Sequence, residues 1–396
     1  MNSLPYLLAS TTWDHEEIDA IHRVLSSGNL TLGYEVMEFE NEFARAMGAK
    51  YAVMFNSGSS ANLAMVFALR YSEEYRLKLG SEIIVPAVSW STTFYPVHQA
   101  GFKLRFVDID GDSLNINISQ IEENINENTG AIFAVNLLGN PAQLDAILSI
   151  AKRHNLIVLE DNCESLGASL NGKKTGTFGL LGSYSFYFSH HISTMEGGMV
   201  VTDSLEMQQI LLSLRAHGWT RGLPVDNHVH PLSDDAWEDL FRFVLPGFNL
   251  RPLEISGAVG RVQLRKLDEI VSMRRMNASF FQEFFKDSDY FSIQLENGTS
   301  SWFGFSLVLK GMMRGKRREL INYLESREIQ TRPIVAGNFL RNPVMKHLDY
   351  EASGVFEHAN RIHEDGFFVG NHHFDISQDI ERLALETKFF IEKELS

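Results

Sequence analysis

The chain has 396 residues, enough for two or three domains, and its 44% hydrophobic and 21% charged residues exclude a disordered, collagen-like or coiled-coil protein. Thirty-five basic against 50 acidic residues leave a net charge of −15, which repels phosphate backbones and excludes a general nucleic-acid binder, although local amides and a few arginines suffice for a small anion. One cysteine, Cys163, excludes an intramolecular disulfide framework, a Cys-based zinc site and an iron–sulfur cluster carried by this chain alone.

Residues 14–47 carry a helical pattern broken at Ser27-Gly28, with a second helix running through Val36, Phe39, Phe43 and Met47. The start has neither a basic nor an apolar leader, and no apolar run approaches the roughly 20 residues of a membrane span. A soluble, cytoplasmic protein without membrane contact is expected. Tyr51–Phe55 reads as a strand, followed by the small polar turn Asn56-Ser57-Gly58-Ser59-Ser60-Ala61-Asn62 and an apolar helical run to about Tyr71. Short apolar runs then alternate with helical patterns: Glu82–Pro86, Leu104–Ile109, Ala131–Leu138, Leu156–Asp161, Ser183–Phe188 and Gly198–Thr202. Buried strands separated by helical crossovers predict an α/β fold, with a mostly parallel sheet flanked by helices.

Past residue 250 the texture changes. A long helix over Glu254–Phe285 leads to strand-like Trp302–Leu309, a helix near Lys316–Arg327, strand-like Gln330–Val335 and a terminal helix. The expected division is a large α/β domain over 1–250, then a connecting helix and a smaller C-terminal α+β domain over 251–396.

Three segments carry candidate chemistry. Small residues at the Asn56–Asn62 turn let backbone N–H groups approach an anion at a helix N-terminus, or serve as a plain serine N-cap. The turn is neither a Walker loop nor a dinucleotide fingerprint. Asp161, at the C-terminal end of a buried parallel strand, faces the crevice where α/β sheets bind ligands, or else caps a helix. In Ser183–Met199 a strand ends in His190-His191 and a Gly197-Gly198 turn opens the next. Neighbouring side chains of a strand point opposite ways, so the histidines make a poor metal pair, and no metal is expected.

The order and spacing of these segments resemble the DegT/DnrJ/EryC1/StrS sugar aminotransferase family, pyridoxal-phosphate enzymes with the aspartate aminotransferase type fold. The resemblance spans nearly the whole chain. It includes Ser27–Gly33, Phe39-Glu40, Glu196-Gly197-Gly198, Gly247-Phe248-Asn249-Leu250-Arg251 and Val262-Gln263-Leu264. It implies that Asp161 pairs with the pyridine N1–H and that Ser57, Gly58, Ser59 and Ser185 hold the phosphate. It further implies that Trp90 stacks on the ring and that Glu164 stands near the phenolic oxygen. Asn249 is implied to reach the phosphate in a neighbouring subunit, giving a homodimer with shared active sites.

The informative departure is at residue 190. The aminotransferases anchor the cofactor on a lysine six residues before the Glu of Glu-Gly-Gly, and six residues before Glu196 is His190. No lysine occurs between Thr175 and Arg265, so a shift of register cannot supply one. Imidazole cannot form that covalent link, so the cofactor, pyridoxal or pyridoxamine 5′-phosphate, is expected to bind non-covalently. Histidine here marks the family's ketosugar 3-dehydratase branch, which deoxygenates carbon 3 of nucleotide-linked 4-keto-6-deoxy sugars. Arg215–Arg221, Arg332–Phe339 and Gly366–His373 fit the same branch.

A single cysteine cannot ligate the iron–sulfur cluster of the branch's CDP-sugar members. The resemblance is therefore to the kind that acts on GDP-4-keto-6-deoxy-D-mannose in the colitose route to O-antigen, with L-glutamate as amino donor and no external electrons. It implies His190 as the catalytic base, near its ordinary pKa, and then as the acid for the departing C3 hydroxyl. Arg251 is the candidate for a glutamate carboxylate, and His217 and Arg221 for sugar or nucleotide phosphate. Two rival readings are a nucleotide-sugar 4-aminotransferase with a degenerate lysine, and a regulatory relative without catalysis.

Overall fold

The computed structural model describes residues 5–233 and 235–395. Thirteen strands are Tyr51–Phe55 (β1), Glu82–Pro86 (β2), Lys103–Val107 (β3), Thr129–Val135 (β4), Ile157–Asp161 (β5), Ser169–Leu170 (β6), Lys173–Lys174 (β7), Leu181–Ser185 (β8), Gly198–Thr202 (β9), Phe291–Ser292 (β10), Gly304–Leu309 (β11), Tyr350–Ala352 (β12) and Gly366–Gly370 (β13). Eight form one sheet in the order β1-β9-β8-β5-β4-β2-β3-β12. All pairs are parallel except those of β9, which runs against both β1 and β8. Such strands are covered on both faces, and β2 and β8 are buried at every residue, which explains their continuous apolar runs.

The first two helices, His15–Ser27 and Tyr34–Met47, are separated where Gly28 ends the first in the left-handed conformation, at φ 72°. The long helix is Glu254–Phe285, and its Glu254 carboxylate accepts from the backbone N–H groups of Gly33 and Glu35 at 2.6 Å, capping the second helix from a distance. Beyond it, β10-β11-β13 make a second sheet whose core includes Phe281, Phe305, Leu307, Phe367 and Val369. Segments cross between the two sheets' territories: Tyr6 packs in this second core, whereas β12 adds an edge to the large sheet.

Two expected strands differ. Ser183–Phe188 leaves the sheet after Ser185, and Phe186 remains buried because its ring enters a cluster with Phe39 and Phe43 instead. The histidine pair thus sits on a loop, not a strand. Gln330–Val335 makes only a bridge, Arg332 to Phe368, since Pro333 has no N–H for a ladder and Val335 turns to φ 40°. The strand that pairs with β11 is instead β13, inside a segment that read only as a motif. No helix among the described residues is long and apolar enough to cross a membrane.

Candidate active site

The C-terminal ends of β1, β4, β5 and β8 open onto a cavity of about 470 Å³. It is lined by Ser57, Gly58, Ser59, Trp90, Asp161, Glu164, Ser185 and His190, eight of the twelve expected site residues.

One end is a cradle. Ser57 precedes the helix Gly58–Tyr71 and its hydroxyl accepts from Ser60 N at 3.1 Å, so the turn is both an N-cap and a lining of the cavity. The Gly58 and Ser59 amides find no acceptor among the described residues. Such N–H groups at a helix start favour an anion. A Cβ on Gly58 would lie 2.5 Å from the Ser185 Cβ, so only glycine lets the two serine-bearing segments close together. Gly198 is equally tight, its Cβ position 2.3 Å from the Ser57 carbonyl oxygen.

Asp161 ends β5, and only 5% of its surface is exposed. Its Oδ2 accepts from Asn62 Nδ2 at 2.9 Å and Thr93 Oγ1 at 2.7 Å, while Oδ1 accepts from Cys163 N at 3.2 Å. Both carboxylate oxygens are thus engaged as acceptors and the group is fixed in orientation. Sequence reasoning gave Asn62 and Thr93 no role, although Asn62 lies in the turn motif and, one helical turn after Gly58, on its face. Trp90, 58% exposed, stands at the start of the helix Ser91–Gln99 and lines the same space.

His190 is held from behind. Its Nδ1 is 2.7 Å from the Cys163 carbonyl oxygen. A carbonyl has no proton to give, so Nδ1 carries the hydrogen and Nε2 is the bare nitrogen. The Phe303 ring packs edge-on at 5.1 Å between centroids. Burial pushes the imidazole pKa down to about 4, with the Arg274 charge adding to the effect and the Cys163 hydrogen bond opposing it. This corrects the expectation of a group near its ordinary pKa: removal from water disfavours the imidazolium, and the resting side chain is neutral. His191 turns elsewhere, its Nε2 3.0 Å from the Ser301 carbonyl oxygen.

Glu164 is moved the other way. Burial raises its carboxyl to about 7, a hydrogen bond from Leu138 N at 3.0 Å opposes this, and Asp161 repels the second charge. No lysine lines the cavity.

The remaining four expected residues lie outside it. Arg251 Nε donates to Asn249 Oδ1 at 3.0 Å, His217 stands beside them through its N–H to the Phe248 carbonyl, and Arg221 is exposed on the following loop. None of them reaches the cavity within one chain.

A residue set of this kind fits pyridoxal phosphate: amides and hydroxyls for its phosphate, a fixed carboxylate for its ring nitrogen, an aromatic face. With the sheet order, it defines an α/β protein of the aspartate aminotransferase type. The model of the DegT/DnrJ/EryC1/StrS aminotransferase family matches residues 11–383, and the chain belongs to that family. It is 52% identical over 378 residues to a GDP-4-keto-6-deoxy-D-mannose 3-dehydratase of Yersinia pseudotuberculosis, covering 95% of this chain and 96% of that one. A solved GDP-4-keto-6-deoxymannose-3-dehydratase with a trapped PLP–glutamate geminal diamine superposes with TM-score 0.94 at 50% identity, over 96% of this chain and 99% of the other. A histidine-to-asparagine variant of such an enzyme with bound GDP-perosamine gives the same score, identity and coverage.

Proposed function

We propose that this protein is a pyridoxal-phosphate-dependent lyase that removes the C3 hydroxyl of a nucleotide-linked 4-keto-6-deoxyhexose, GDP-4-keto-6-deoxy-D-mannose, using L-glutamate. The products are the 4-keto-3,6-dideoxy sugar, 2-oxoglutarate and ammonia. Two electrons leave glutamate and two enter the sugar at C3, so the overall reaction balances without an external reductant. The observation that carries this reading is a histidine with a bare Nε2 in a cavity that no lysine lines.

When bound, the cofactor supplies an aldehyde that exchanges the amino group and a protonated ring that accepts electrons. Ser57, Ser59 and Ser185, with the Gly58 and Ser59 amides, hold its phosphate. Asp161 keeps the ring nitrogen protonated, Trp90 covers one face, and Glu164 stands by the phenolic oxygen. His190 Nε2 takes the proton removed beside the ring; the imidazolium so formed is buried and gives its proton up readily to the departing hydroxyl. A lysine at this place would capture the aldehyde instead.

Asn249 serves the phosphate of a second subunit, and Arg251, His217 and Arg221 meet the glutamate carboxylate and the nucleotide sugar there. This makes a homodimer the working unit. The boundary between the large and small domains falls near residue 250, and the substrates place the protein in the cytoplasm.

The test is an assay of purified protein with pyridoxal phosphate, glutamate and GDP-, CDP- or dTDP-4-keto-6-deoxyhexoses. Equal yields of 2-oxoglutarate, ammonia and deoxygenated sugar from the GDP substrate are expected. Nitrogen retained in the sugar would identify an aminotransferase and overturn the reading.

A further inference from the structure

Arg274 lies on the long helix, 4% exposed, and has no carboxylate partner among the described residues. Its Nη1 donates to the Phe303 carbonyl at 3.0 Å, and its Nε has no partner among the described residues. Burial alone acts on it, lowering it to about 10. A buried arginine normally has an acid beside it. Here the neighbours are two histidine pairs, His190-His191 and His372-His373, each of whose four rings its charge makes harder to protonate.

The connection to His190 is short. Trp302-Phe303 is pinned from two sides: Phe303 N donates to the Leu138 carbonyl at 3.0 Å, and Asn371 Nδ2 reaches the Trp302 carbonyl at 2.9 Å and the Arg274 carbonyl at 3.0 Å. The Phe303 ring is then the wall against which the imidazole rests.

We propose that Arg274 is a positioning residue for His190: its guanidinium fixes the Phe303 backbone whose ring supports the imidazole, and it places an uncompensated positive charge behind that ring. This rests on the reading of His190 as the base. The charge works against other groups facing His190. Asp161 favours the imidazolium. Glu164, Cys163 and Glu196 share the cavity, and the Tyr187 ring lies edge-on to the imidazole at 6.2 Å between centroids. A guanidinium without an acid of its own is the fixed term that keeps Nε2 bare when those groups change charge.

The test is histidine-carbon NMR titration of the full-length protein, with and without pyridoxamine phosphate, the His190 signal being identified by its loss in His190→Asn. Arg274→Gln retains a donor for the Phe303 carbonyl and removes the charge. Its His190 midpoint should rise by about one unit, with the acid limb of the dehydration rate moving alongside, and Arg274→Lys should restore both. An unchanged midpoint in folded Arg274→Gln overturns the proposal. So does a midpoint in Arg274→Lys displaced as far as in the Gln variant, which covers a Gln variant that does not fold. A midpoint that moves while the rate profile stays put would instead count against His190 as the base.

Discussion

Asp161 takes two side-chain donors on one oxygen and a backbone N–H on the other, leaving no place for a donor of its own. Asp161→Asn removes the charge proposed to face the ring nitrogen and turns an amide NH₂ toward either the Cys163 N–H or the Asn62 and Thr93 donors. Loss of an electrostatic partner of this kind should slow both glutamate-dependent 2-oxoglutarate formation and dehydration by about 100-fold or more, with a folded protein by circular dichroism. Near-normal 2-oxoglutarate formation would contradict the role. At residue 190, His190→Lys should acquire a borohydride-reducible pyridoxyl group within the 175–265 peptide and lose dehydration, because an amine there reacts with the aldehyde. Wild-type protein treated alike should carry no pyridoxyl group in that segment.

Glu164 gives a pH signature. Its folded-state pKa, about 7, is above the ordinary 4.5, so the folded chain holds a proton that the unfolded chain has released. The stability this contributes is fully present below 4.5 and is lost as pH rises through about 7. His190 works in the opposite sense: depressed to about 4, it favours the folded chain above 6.5 and ceases to as pH falls toward 4. Glu164→Gln keeps an acceptor for Leu138 N and cannot titrate. The variant's melting temperature relative to wild type should therefore climb by a few degrees between pH 5 and pH 8, as scanning calorimetry would show. A flat difference would mean that Glu164 is ionised throughout.

At the scale of elements, the site depends on a backbone contact that no pattern announces. Gly139 follows β4 at φ 92°, and a Cβ there would lie 2.4 Å from the Trp302 N and 2.7 Å from the Phe303 N. Gly139→Ala must push the 302–303 segment away and carry the Phe303 ring off His190. A cost of about 2–3 kcal/mol in stability is expected from overpacking and the positive φ, with kcat falling more than stability alone explains; denaturant melts and kinetics on one preparation measure both. The sheet strands and the 32-residue helix were legible because long apolar periodicity has few alternative explanations. The Phe303 support was not, since Trp302–Leu309 reads as one apolar run and nothing in it says that the first two residues are a strap. Likewise the neutrality of His190 is a product of burial and of Arg274, 84 positions away, which local sequence does not report.

At the scale of the whole molecule, four of the twelve expected site residues stand outside the cavity, and two of the residues lining it, Trp90 and Tyr187, are large exposed aromatics, with exposed Phe188 and Met195 next in sequence to the lining residues Tyr187 and Glu196. Exposed apolar surface at a pocket is of the kind that a ligand or a second subunit covers. If Asn249 completes a neighbour's site, Asn249→Ala and His190→Asn should each be inactive alone and complement when refolded together. A mixed dimer then has one site with both wild-type residues, so a 1:1 mixture should recover roughly a quarter of wild-type activity. Failure to complement, with mixed dimers shown by mass spectrometry, would place Asn249 in its own chain's chemistry. The Ser57–Ser59 turn, Asp161 and the His190 segment were legible because their motifs sit where strands end; Trp90, Glu164, Ser185 and the four residues outside the cavity were named by resemblance.

The cradle also has a schedule. Ser57 follows β1 and Ser185 ends β8, but the strand between them is β9, and its Gly198 pairs with both Phe55 and Ser185. As the chain emerges during synthesis, β1 is among the first segments out, yet its sole sheet neighbour is made almost 150 residues later. Until then β1 offers two open edges, a hazard for a nascent chain. A ribosome-bound fragment ending before Gly198 can assemble the inner strands, but its phosphate end has no wall, so the ligand can speed maturation only after that glycine has docked.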